Sequence, residues 1–325
     1  MNNDFIRFAA SHLISLPKPY DSMRLSLATL LCPKITRRDC MVACALALVW
    51  MFLGTSCKND VAHSGITDSE LEKFRGSTAV ESLLSGMTLD DKVGEMTQLT
   101  LNMLCEGELS EKPGIYVVLD EPHTLDESKL RVAFQEGRIG SVLNCGGHAY
   151  PTAQWRELVS GIQQASIAAK GIPTLYGVDA IHGATYTSGA ALGPQQIALA
   201  ATWDTALVRK MSEGTAQEID ACGIPWNFAP VLDVGRDPRW PRFWETFGED
   251  VMLVGDMGEA MVRGFQEGPV KVAATLKHYM GYSTPWSGKD RTPAYIPERQ
   301  LREIFLPPFK QSVDAGAMTG AMPAP

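Results

Sequence analysis

From about Gly137 to Gly316 the sequence keeps one rhythm, and that rhythm constrains the fold more than anything else in it. A short apolar run gives way to a longer amphipathic stretch, and then another apolar run follows. "GRIGSVLNCGG" precedes "PTAQWRELVSGIQQASIAAKG", "IPTLYGVDAIHG" precedes "DTALVRKMSEGTAQEIDACG", "IPWNFAPVLDVGRDPRWPR" precedes "DVMLVGDMGEAMVRGFQEG", and "VKVAATLKHYMG" precedes "PERQLREIFLPPFKQSVDAG". The long stretches carry helix start and stop signals: Asp204 as a cap, Pro297 at a start, and Gly171, Gly223 and Gly316 at stops. Alternating strands and helices predict an α/β fold, with a parallel sheet covered by helices.

Each apolar run ends in polar residues. That is where a (β/α)8 barrel gathers its site from successive strand-to-helix loops. A doubly wound sheet also places ligands there. Neither GxGxxG nor GxxxxGK[ST] nor HExxH occurs, so nucleotide and zinc-peptidase chemistry have no support, and no cofactor or metal is expected. The net charge of −8 carries no basic stripe, which argues against a nucleic-acid partner.

The head of the chain reads differently. "KITRRD" precedes the apolar "MVACALALVWMFLG" and then "TSC". A basic segment, a short apolar run and small residues are the marks of an export signal, too short for a comfortable membrane span. Gly54, Thr55 and Ser56 before Cys57 resemble a bacterial lipoprotein box, with Leu53 one place earlier than usual. Residues 1–57 are therefore expected to be a signal and lipoprotein region, 58–80 a polar tether and 81–325 the folded domain. The expected location is periplasmic or outer-membrane-anchored, with membrane contact only through a lipid on Cys57. Cys105, Cys145 and Cys222 lie beyond that region without CxxC spacing and are expected to be buried thiols. "LLSGMTLDDKVGEMTQLTLNML", Leu83 to Leu104, reads as a helix start: Thr88 can cap it, Asp90 and Asp91 sit in the first turn, and Leu89, Val93 and Met96 recur at helical spacing.

Four clusters could carry chemistry. Asp179 and His182 close a strand beside a glycine-rich turn, where the carboxylate could accept sugar hydroxyls or merely cap a helix. "GRDPRWPRFWETFGED" interleaves Arg236, Asp237, Arg239, Arg242, Glu245, Glu249 and Asp250 with four aromatics, a pattern of internal ion pairs holding a loop from which one arginine can face a ligand. Lys277 and His278 stand side by side at the end of a buried strand. Trp286 with Lys289, Asp290 and Arg291 reads as a rim loop.

"GVDAIHG", "GPQQIALAATWD", "FAPVLDVGRDPRWPRFWETFGED", "KHYMGY" and "GAMT" resemble, in order and spacing, glycoside hydrolase family 3, the β-glucosidase-like enzymes. The resemblance runs from about Met87 to Thr319. It implies a (β/α)8 TIM-type barrel and a retaining, exo-acting glycosidase for terminal β-glucosides. By motif, Asp179, Arg242, Lys277 and His278 would bind the sugar. Pro241 stands where glycine is common, and Tyr279 where phenylalanine is. The family's nucleophile lies in an "SDW"-like motif, and its acid/base comes from beyond the barrel. No "SDW" occurs in these 325 residues. The resemblance therefore implies an incomplete barrel, with both catalytic groups expected beyond Pro325 and none among the residues present. Two alternatives accompany it. One is a non-catalytic sugar-binding lipoprotein. The other is a β-N-acetylhexosaminidase, disfavoured because "KHYMGYSTPWSG" lacks the histidine loop of those enzymes.

Overall fold

The computed structural model describes residues 78–107, 110–111, 117–118 and 122–323. The signal region, Cys57 and nearly all of the tether lie outside the described residues. Helix α1 (Thr78–Ser85) belongs to one compact unit, Leu13–Thr88, and the chain from Leu89 onward to the larger one.

The larger unit is an α/β structure with a parallel sheet. Strands β1 (Gln98–Thr100), β4 (Ser141–Leu143), β5 (Leu175–Val178), β6 (Trp226–Asn227) and β7 (Ala273–Ala274) lie side by side in that order, every pair parallel. Between β1 and β4, β2 (Ser110–Glu111) and β3 (Val117–Val118) form a small antiparallel pair. Strand β8 (Leu276–Tyr279) follows β7 after one residue and pairs in parallel with β9 (Ala321–Pro323). All four residues of β5 are buried, as expected of a strand covered on both faces. Gly177 in β5 has no alternative, because a Cβ there would stand 2.3 Å from the Phe228 ring.

The crossovers are the expected helices. Helix α4 (Thr152–Lys170) buries Trp155, Leu158, Val159 and Ile162, one stripe at helical spacing, and ends at Gly171 with φ 70°. Helix α6 (Thr205–Ala221) begins at Asp204, whose carboxylate accepts the Ala206 and Leu207 N–H groups. Helix α7 (Val251–Glu267) is capped in the same way by Asp250. The last crossover starts at Pro297. It runs from α8 (Glu298–Gln300) through a widened turn, Leu301–Phe305, into α9 (Leu306–Asp314). Pro307 and Pro308 supply no N–H to that turn, which is why the ladder widens there. A short helix, α3 (Glu127–Arg131), precedes β4, and another, α5 (Gln196–Ala200), precedes α6.

The helix start expected after Thr88 is present, with Asp90 and Asp91 in its first turn, but the helix is short: α2 (Leu89–Glu95) stops after seven residues, and the chain then enters β1 and a 3-10 turn, Leu101–Leu104. The supposed apolar face is solvent-facing, with Leu89 75%, Val93 55% and Met96 82% exposed. Helix α2 is seated through Gly94 instead, where a Cβ would come 2.3 Å from the Gly137 carbonyl. Backbone proximity, rather than the stripe, places it. The three cysteines are free and buried as expected, and burial pushes the Cys105 and Cys145 thiols up to about 12.

Candidate glycosyl-binding site

The polar side chains that close successive strands converge. Asn144 follows β4, Asp179 follows β5, Asp233 and Arg242 lie in the segment after β6, and Lys277 and His278 belong to β8. Lys277 reaches Asp179 Oδ1 in a close ion pair. Asn144 Nδ2 donates to Asp179 Oδ2 at 2.7 Å, and Asn144 Oδ1 accepts the Asp179 backbone N–H at 2.9 Å. Three strand ends are thereby clamped around one carboxylate. The Lys277 side chain is 2% exposed and that of Asp179 30%, so the carboxylate is the part that opens to solvent. Burial pushes the Asp179 carboxyl up, but Lys277, Asn144 and Arg242 outweigh it and hold it below the usual range.

His278 is held from the other side. Its backbone N and its Nδ1 lie 3.1 and 2.7 Å from the same oxygen, Asp233 Oδ2. That oxygen already accepts the backbone N–H, so Nδ1 carries the imidazole hydrogen and Nε2 is left as an acceptor. Burial pushes His278 down, with Lys277 and Arg242 acting the same way, against the pull of Asp233; the net shift is downward and favours neutral imidazole. The other Asp233 oxygen, Oδ1, is buried with no hydrogen-bond partner. A lone buried acceptor is destabilising, so the use of Asp233 is its grip on His278.

Arg242 closes the group. Its Nε and Nη2 donate to the two Glu245 oxygens at 2.8 and 2.6 Å, and its guanidinium lies 5.5 Å from the centre of the Tyr282 ring. Burial alone would weaken its hold on the proton, but Glu245 more than compensates and the net shift is upward. The Tyr282 ring also meets His278 at 4.8 Å and Trp240 at 5.0 Å, both edge-on. Asp290 Oδ1 accepts from Tyr282 Oη at 2.6 Å and Trp240 Nε1 at 3.0 Å.

The four residues read from the sequence thus share one constellation. His182 does not join it by any described bond: its Nδ1 meets the Gly193 carbonyl at 3.2 Å and helps fix a turn. The "GRDPRWPRFWETFGED" loop is internally ion-paired as expected, through Asp237–Arg239 and Arg242–Glu245. Asn144, Asp233 and Tyr282 were missed. Asp233 had a readable signal, since "VLDVG" closes an apolar run just as "YGVDA" does. Tyr282 gave none, because its place depends on Trp240 and Arg242, which lie far back in the chain.

Each cation here is balanced by a carboxylate: Lys277 by Asp179, and Arg242 by Glu245. Nothing is left over to neutralise a phosphate. What remains are donors and acceptors beside aromatic edges, which suits a neutral ligand rich in hydroxyls. Among the described residues, no group of three or more His, Cys, Asp or Glu side chains is placed to hold a metal ion.

Comparison with known proteins identifies the family. Residues 88–324 match the family profile described as glycosyl hydrolase family 3 N terminal domain. A lysosomal beta glucosidase of Dictyostelium discoideum is 39% identical over 262 residues, 74% of this chain and 30% of that protein. A beta-xylosidase of Formosa agariphila is 36% identical over 283 residues, 85% of this chain and 30% of that protein. The crystal structure of an exo-1,3/1,4-beta-glucanase from a Pseudoalteromonas species superposes with a TM-score of 0.63 at 30% identity, covering 75% of this chain and 30% of that one. The chain thus spans about a third of the length of the relatives it matches.

Proposed function

Because this chain belongs to glycosyl hydrolase family 3, we propose that its strand ends form the glycosyl-binding floor of a retaining, exo-acting glycosidase for terminal β-glucosidic bonds. The observation that carries this is the Asn144–Asp179–Lys277 clamp, which unites three strand ends and leaves a charged acceptor open to solvent. In this reading Asp179 accepts hydrogen bonds from sugar hydroxyls. Lys277 and Arg242 donate, and His278 accepts through Nε2. Charge-assisted bonds of this kind strengthen as the ring moves toward an oxocarbenium-like state.

Retaining hydrolysis needs two carboxyl groups about 5–5.5 Å apart, one to attack and one to move the proton. The carboxylates in the constellation are committed elsewhere: Asp179 to Lys277 and Asn144, Asp233 to His278, Glu245 to Arg242, and Asp290 to Tyr282 and Trp240. They are ligand-binding and scaffolding groups rather than attackers. Export with a lipid on Cys57 completes the proposal from the sequence side and is consistent with an extracytoplasmic polysaccharide as the source of substrate.

The test is glucose binding by calorimetry for the wild type, Asp179→Ala and Lys277→Ala. Each substitution should weaken binding by about 2–4 kcal/mol, the scale of a charge-assisted hydrogen bond lost in a dry site. Unchanged affinity in both variants would remove the glycosyl assignment. Measurable turnover of an aryl β-glucoside that Glu245→Gln or Asp290→Asn abolishes would overturn the division between binding and attacking carboxylates.

A further inference from the structure

Asn144 grips Asp179 from an unusual conformation. It follows β4 with φ 49°, left-handed backbone that asparagine tolerates better than most residues. Such a conformation persists where the surroundings enforce it. Part of the enforcement comes from β5: Asn144 N donates to the Gly177 carbonyl at 2.9 Å, and Tyr176 Oη donates to the Asn144 carbonyl at 2.7 Å. The rest comes through the turn that follows. His148 N donates to the Cys145 carbonyl at 3.3 Å, and Cys145 Sγ to the His148 carbonyl at 3.0 Å. Asn102 lies against this turn at Gly146, where a Cβ would stand 2.9 Å from Asn102 Nδ2.

Asn102 is the end of a buried polar chain. Its Oδ1 lies 2.6 Å from His123 Nε2, and His123 Nδ1 lies 2.6 Å from Tyr150 Oη. The hydrogens on that chain have one consistent placing. Tyr150 Oη accepts the His123 backbone N–H at 2.8 Å, and its own hydrogen goes to Nδ1. Nε2 then carries the imidazole hydrogen and donates it to Asn102 Oδ1, which can only accept. A hydrogen on Nδ1 instead would leave two acceptors, Nε2 and Oδ1, facing each other. With Oδ1 taken by His123, Asn102 turns its amide nitrogen toward Gly146.

Tyr150 anchors the chain. Its backbone N donates to the Tyr186 carbonyl at 3.0 Å, Ser188 N donates to its carbonyl at 2.8 Å, and its ring meets Trp155 of α4 edge-on at 6.0 Å. Asn102, His123 and Tyr150 are all buried. Apolar side chains of the same volume would serve stability at least as well. What a satisfied polar chain adds is direction, because each bond fixes the orientation of the next group.

We propose that His123 is a positioning residue for the Asp179 carboxylate: through Asn102 it braces the turn after β4, and that turn holds Asn144 in the conformation that grips Asp179. As a device for sugar binding this rests on the reading of the Asp179–Lys277 site as glycosyl-binding. His123 touches no ligand. Its effect on a sugar passes through Asn102, the turn and Asn144.

The experiment uses the full chain with two readouts. One is glucose affinity by calorimetry. The other is hydrogen exchange at the Asp179 backbone N–H, which donates to Asn144 Oδ1 at 2.9 Å. His123→Leu should weaken glucose binding about fivefold, the scale of one neutral hydrogen bond, and speed exchange at Asp179 while amides buried in α6 keep their rates. His123→Gln, whose amide can still donate to Asn102, should stay within about twofold of wild type in both. Tyr150→Phe deletes only the hydroxyl and should move both readouts as His123→Leu does, which keeps the test open if the leucine variant fails to fold. In an Asn144→Ala background, His123→Leu should cost no further glucose affinity, because the two act in series. Losses that add in the double variant, or exchange that quickens everywhere alike, would be general loosening and overturn the brace. Wild-type exchange at Asp179 in both His123→Leu and Tyr150→Phe overturns it as well. If Asp179→Ala leaves glucose affinity unchanged while His123→Leu still speeds exchange at Asp179, the brace stands and the glycosyl reading falls.

Discussion

Acids and bases meet in two very different ways in this molecule. Along the helices they pair locally: Arg209–Glu213 on α6, Arg263–Glu259 and Arg263–Glu267 on α7, and Arg302–Glu298 and Lys310–Asp314 in the last crossover, each four residues apart. At the strand ends they pair across the fold: Asp179 with Lys277, 98 residues away, and Asp233 with His278, 45 away. The helical pairs are solvated; Arg302 and Glu298 are 68% and 75% exposed. The strand-end pairs are screened by packed chain. Water weakens the first kind to near nothing. Removing water strengthens the second kind and also makes a broken partnership costly. Screened pairs also occur elsewhere, as between Lys170 and Glu95, whose side chains are 1% and 15% exposed; at the strand ends they converge on neighbouring residues, which points to a task other than stability.

The largest effect that can sharpen this contrast is on acid stability. His123, buried beyond β3, lies between Tyr150 Oη and Asn102 Oδ1, each 2.6 Å away, and meets the His148 ring edge-on at 5.1 Å. Burial, with a smaller push from His148, lowers it from 6.5 to about 4. The unfolded chain takes up a proton at the ordinary value and the folded chain refuses it until far lower. Stability should therefore be full above about pH 6.5 and fall as pH drops toward 4, by on the order of 3 kcal/mol. His278, also lowered, acts in the same direction. Denaturant midpoints across this range should slope in the wild type and flatten in His123→Gln. Equal slopes would show that the buried cluster does not couple to protons.

Of middle size is Asp233→Ala. It frees the His278 ring while removing an acceptor that is itself unpaired at Oδ1. Sugar affinity should fall by about 1–2 kcal/mol and stability by a similar amount, because two buried donors of His278 lose their partner. Asp233→Asn, whose carbonyl can still accept, should recover part of the loss. A large drop in melting temperature without loss of affinity would place Asp233 among structural groups and break the contrast. The smallest effect belongs to the helices: Arg302→Ala should change stability by about 0.3–0.5 kcal/mol, less at high salt, and leave sugar binding untouched. An effect as large as that of Asp233→Ala would refute the distinction between solvated and screened pairs.

The sequence by itself determined the alternation of strands and helices, the cap at Asp204, the stop at Gly171, and the placement of Asp179, Arg242, Lys277 and His278 in the segments that close the strands. These are local signals: period, capping chemistry and turn residues act within a few positions of the chain. It could not determine that Leu89, Val93 and Met96 face solvent, because the seat of α2 is a backbone contact between Gly94 and Gly137. Nor could it pair Asp179 with Lys277, Asp233 with His278, or Tyr282 with Asp290 and Arg242, though every one of these residues was in plain view. Which partner a charged group finds depends on which strand ends become neighbours once the sheet forms. That is decided by packing across the whole chain, at separations where no periodicity survives.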